Sequence, residues 1–155
     1  MTALSLRYGL RLALALLALF SLAHLAGFHD NPGLRLLNGI VHVGFIYAVL
    51  RKYRIERPRE WNYASGVGTG VAAGMIGTLL FVVAVGIFLA VRPDVLEAIV
   101  AGTRLGKYLT PFTAAAVLAV EGFAVTVFAS YFCMRVVDAD RGAASAAAAY
   151  QREVA

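Results

Sequence analysis

The stretch VLAVEGFAVTVF, residues 117–128, holds one charged side chain, Glu121, in an otherwise apolar run apart from one Thr. A carboxyl in such a run has three uses. It can stand protonated as a hydrogen-bonding group, pair as an anion with a cation, or face water and pass protons or ions. His42 and Thr78, each near the middle of its own apolar run, lie at compatible depths. No Lys or Arg does. A neutral Glu121 bonded to His42, Thr78 or a backbone carbonyl is therefore the structural expectation. A proton or ion relay is the functional alternative, made thinner by the lack of a second acid on another apolar run.

Other polar residues extend this set. Asn38 and His42 are four apart and share a helix face, which suits hydrogen bonding between helices, worth about 0.6 kcal/mol on average. His24 and His42 raise the question of a haem or metal, since histidine is a common ligand. Their depths differ by roughly 7 Å at 1.5 Å per residue, and two histidines do not specify a site. No metal and no cofactor is assigned. His29, in a turn, reads as solvated. The lone Cys133 excludes an intramolecular disulfide and a cysteine metal cluster. No nucleophile–base pair, acidic metal cluster or H-E-x-x-H is present, so no catalytic residue is expected.

SGVGTGVAAGMIG (65–77) has the glycine density of a nucleotide loop but not its spacing, and no strand precedes it. Gly66, Gly70 and Gly74 are four apart and Thr78 continues their face, the pattern of close helix packing. RKYRIERPRE (51–60) is basic through Arg51, Lys52, Arg54, Arg57 and Arg59. It fits an anionic-lipid or partner-docking surface, although Glu56 and Glu60 dilute it and a purely topological role is preferred.

These residues need apolar elements to position them. The chain has 155 residues, 61% hydrophobic and 15% charged, against about 25% charged in soluble domains. That composition is expected of an all-α integral membrane protein. Four apolar segments, about 8–27, 34–50, 63–91 and 108–134, are each read as a transmembrane helix, the second barely long enough at about 17 residues. The first also has Arg7, Arg11 and a possible Ser21-Leu22-Ala23 cleavage site, but is read as a retained span. HDNPG (29–33) forms a turn, and 51–62 a charged loop. Val95, Leu96, Ile99 and Val100 recur at helical spacing, which predicts a short interfacial helix ending near Gly102. Residues 1–136 form the membrane domain, and 137–155 an Ala-rich cytoplasmic tail that is either a helix on a partner or a frayed end.

Orientation follows from Lys and Arg. Arg7, Arg11, Arg51, Lys52, Arg54, Arg57, Arg59, Arg135, Arg141 and Arg152 fall on one side, and only Arg35, Arg92, Arg104 and Lys107 on the other. The positive-inside rule puts both termini in the cytoplasm. Tyr8, Trp61, Tyr63 and Tyr131 sit near that boundary, as an aromatic belt would. The net charge of +5 serves orientation and calls for no nucleic acid.

KYR (52–54), NYASGVGTG (62–70), PDVLE (93–97), LTPF (109–112) and EG (121–122) together give a resemblance over residues 8–135. The chain resembles a family of small four-span bacterial inner-membrane proteins classed only as a domain of unknown function. The resemblance implies four spans and a bacterial inner membrane, and no activity.

The function expected is non-catalytic: an accessory, scaffold or assembly subunit that sits in the lipid bilayer with other membrane-protein subunits or its own copies. The alternative is a small oligomeric transporter or proton/ion conductor built on Glu121.

Overall fold

The computed structural model describes residues 3–27, 32–102 and 108–154. His29 and the start of its turn lie outside them, as do Arg104 and Lys107. The regular structure among the described residues is all helical: α1 (Ala3–Leu25), α2 (Pro32–Glu56), α3 (Tyr63–Val91), α4 (Pro93–Gly102) and α5 (Pro111–Val154). Three helical segments, Ala3–Leu25, Tyr63–Val91 and Pro111–Ala139, are long and apolar enough to cross a membrane.

The helices run up and down. Ser5 reaches Thr69, and Phe20 packs on Phe81 and Phe88, so α1 lies parallel to α3. His42 meets Thr126 and Arg54 meets Val137, so α2 lies parallel to α5. Opposed glycines, described below, make α3 and α5 antiparallel. The start of α1, the end of α2 and the start of α3 therefore share one end of the bundle.

Two apolar clusters fill the interior. Near the shared end, Leu4, Ile46, Val49, Leu50, Tyr53, Trp61 and Met134 pack together. At the far end are Leu12, Leu16, Phe81, Val82, Val85 and Leu89, covered by Val95 of α4. The short helix expected after α3 is thus present as α4, and its apolar side closes the second cluster.

Three expectations change. Residues 51–56 are helix rather than loop, because Lys52 and Glu56 pair one turn apart at 3.3 Å and Tyr53 is buried in the core. Trp61 does not sit in a belt. It is only 9% exposed and packs on Tyr53 with ring centroids 5.9 Å apart. The helix of α5 also passes position 136 without a break and runs 44 residues, about 66 Å at 1.5 Å each. Ahead of α3, Asn62 forms a capping box with Ser65, bonded both ways at 2.8 and 3.0 Å.

Candidate functional site

The site is built on the α3–α5 contact. Gly66, Gly70, Gly74 and Thr78 are all buried on one face of α3. Each meets a residue of α5. A Cβ added to Gly66 would lie 2.5 Å from Met134 Sδ, one on Gly70 2.8 Å from Ser130 Oγ, and one on Gly74 2.5 Å from Thr126 Cγ2. At the fourth rung the small residue changes sides: a Cβ on Gly122 would lie 2.5 Å from Thr78 Cγ2. The ladder pairs residues four apart on both helices, so two small-residue ridges interlock. The partner of the α3 glycine face is therefore a helix of this same chain. The α5 half, Gly122-x-x-x-Thr126-x-x-x-Ser130, was missed in the sequence, although its four-residue spacing of small residues is the same signal.

The ladder fixes how α5 is rotated. With Gly122, Thr126 and Ser130 facing α3, Glu121 is turned about 100° away, since successive helical residues step by that angle. Glu121 is exposed on the outside of the bundle. It has no hydrogen bond or ion pair among the described residues. The expectation that it bonds to His42 or Thr78 is thus not met: the small residues, not the acid, took the inner face. Its depth is as expected, because neighbouring Gly122 is level with Thr78, one residue from the middle of α3.

The interior polar group is His42 instead. It is 4% exposed, and its Nε2 lies 2.8 Å from Thr126 Oγ1. The Thr126 hydroxyl also donates to the Gly122 carbonyl at 2.8 Å. One hydroxyl carries one proton, so the imidazole donates to it through Nε2–H. Asn38 Oδ1, Thr78 Oγ1 and Ser130 Oγ are buried without a hydrogen-bond partner among the described residues. His24 is placed elsewhere, edge-on to Phe88 at 5.4 Å in a cleft of about 370 Å³ also lined by Phe20 and Ser21. The two histidines serve different helix contacts. No group of three or more metal-binding side chains occurs among the described residues.

The basic run is largely committed to its own chain. Lys52 pairs with Glu56 and Arg57 with Glu60, while Arg54 donates to the Val137 carbonyl at 2.7 Å. The hydrogen bond and charge of Glu60 hold the Arg57 guanidinium above its ordinary pKa. Arg51 and Arg59 are exposed and form no ion pair among the described residues.

The outer faces differ sharply. The exposed large side chains of α1 between Leu14 and Leu25, and of α3 between Met75 and Val91, are all apolar. Such faces suit lipid. The outer face of α5 carries Val120 (71% exposed) and Phe128 (66% exposed), yet has the Glu121 carboxyl between them. A charge at the bilayer centre costs at least a few kcal/mol, and polar residues there normally face protein or water.

Comparisons with models of known families, with curated proteins and with solved structures return no match.

Proposed function

We propose that this chain is a non-catalytic, multi-pass protein of the bacterial cytoplasmic membrane that works by assembly, as an accessory, scaffold or assembly subunit of a larger membrane complex. The outward Glu121 carries this reading. A carboxyl level with the middle of the bundle, on a face that would otherwise suit lipid, needs a hydrogen-bonding partner that the described residues do not supply. A neighbouring transmembrane chain docked on α5 supplies it.

The reading takes α2 as a fourth span, because α2 is 25 residues long and packs antiparallel to two apolar helices. Both termini are cytoplasmic: Arg7, Arg11, Arg51, Lys52, Arg54, Arg57, Arg59 and Arg135 gather at one end of the bundle. α4 lies at the opposite interface. Arg51 and Arg59 are free to meet anionic headgroups. The family resemblance supplies the bacterial inner membrane.

The test is detergent extraction of the full chain, followed by affinity purification and mass spectrometry. Other membrane proteins should co-purify in stoichiometric amounts with wild type and with Glu121→Gln, and fall at least tenfold with Glu121→Leu. A wild-type chain recovered alone, as monomer or as homodimer, overturns the subunit reading. The second reading, proton or ion conduction by an oligomer, draws on the same exposed carboxyl. It requires a pH-dependent flux in vesicles that Glu121→Gln abolishes while assembly persists.

A further inference from the structure

The contacts of α2, α3 and α5 step together. Ile46, Gly70 and Ser130 meet in one layer: a Cβ on Gly70 would lie 2.8 Å from Ser130 Oγ and 3.4 Å from Ile46 Cγ2. Four residues away on each helix, His42 bonds Thr126 at 2.8 Å, and Thr126 is the residue that Gly74 faces. A further four on each helix bring Asn38 to the layer where Thr78 meets Gly122, about 6 Å along the bundle. In this third layer Asn38 Oδ1 and Thr78 Oγ1 are both buried and have no hydrogen-bond partner among the described residues. Thr78 is only 2% exposed. Buried polar atoms left unpaired are costly, so a pair of them in one layer calls for a partner.

The layer is short of protons. Asn38 Oδ1 and the Gly122 carbonyl can only accept, and that carbonyl already takes the Thr126 hydroxyl proton. The Thr78 hydroxyl brings one proton and can also accept. We propose that the layer is a binding site for one ordered water, which bridges Asn38 Oδ1 to Thr78 Oγ1. The water gives one proton to Asn38 Oδ1 and the other to the second lone pair of the Gly122 carbonyl, and accepts from the Thr78 hydroxyl. Three bonds are usual for a buried water. A neutral ligand suits the layer better than an ion. Glu121, at the same level, is exposed on the outside, so it offers no counter-charge within, and an unpaired buried ion is far more costly. The water would tie α2 to α3 and α5. α2 is not among the three helices apolar enough to cross a membrane, so polar bonds at this level help fix its place in the bundle. The site is interior and does not depend on what docks at Glu121.

Solid-state NMR of the full chain in lipid bilayers tests it, by polarisation transfer from water protons. Transfer to the Asn38 side chain and to Thr78 should be at least threefold faster than to Ala73 and Val85, which are equally buried on α3. Thr78→Val should remove the fast transfer at Asn38, and Asn38→Leu should remove it at Thr78, because one water serves both. Thr78→Ser keeps the hydroxyl and should keep the transfer. In reversible unfolding, Asn38→Leu with Thr78→Val should cost no more than the larger of the two single changes. Transfer in the wild type no faster than at Ala73 overturns the proposal, as does fast transfer at Asn38 that survives Thr78→Val. Additive losses of stability mean separate partners and overturn the bridge. Shifts of the Asn38 and Thr78 signals when sodium replaces choline in the buffer mean a bound cation and overturn the water.

Discussion

Thr126 bonds twice through one hydroxyl, accepting from His42 and donating to the Gly122 carbonyl, each at 2.8 Å. Thr126→Val keeps the shape and removes both bonds, leaving the His42 N–H buried without its acceptor. The expected loss is about 0.6–1.7 kcal/mol, the range for hydrogen bonds between membrane helices, read by reversible unfolding in mixed micelles. Unchanged stability would mean the bond is not held in the membrane. His42 and Glu121 also show what residue types reveal. Their depth was legible, because counting from the ends of an apolar run gives position along the axis. Their direction was not. In a membrane helix the lipid side and the packed side are both apolar, so no alternation marks the inner face, and His42 turned inward while Glu121 turned outward.

Among helices, small residues set the rotation that apolar residues leave open. The α3 glycines were readable as a packing face from their spacing. Its partner was not, since one sequence cannot say which helix a small-residue ridge meets. Gly74→Ala would place a methyl 2.5 Å from Thr126 Cγ2, forcing α3 and α5 apart at an expected cost of about 1–3 kcal/mol. Gly68→Ala, six residues earlier on the same helix, has nothing within 4 Å and should be neutral or stabilising by up to about 1 kcal/mol, as alanine is the better helix former. Thermal unfolding of both variants in one detergent checks the contrast. Equal effects would mean the ladder does not hold α3 against α5. The end of α2 was misread for a different reason. Charge marks the membrane boundary, not the end of a helix, and RKYRIE stays helical because Tyr53 is buried and Arg54 is tied to α5.

For the molecule as a whole, all-helical architecture and membrane-compatible helices followed from composition, whereas assembly depends on surfaces that composition does not describe. The proposed orientation makes its own prediction. In intact cells, Arg59→Cys should resist an impermeant maleimide and Glu97→Cys on α4 should react, at least tenfold faster. The reverse pattern would invert the topology. Assembly itself is read by native mass spectrometry of the detergent-extracted wild type beside Glu121→Leu. The wild type should appear at a multiple of, or well above, the 16.5 kDa of one chain, and Glu121→Leu should fall to the single-chain mass while keeping its helical content. A wild type found only at 16.5 kDa, or a Glu121→Leu protein with the same mass as an assembled wild type, would contradict a protein partner at Glu121.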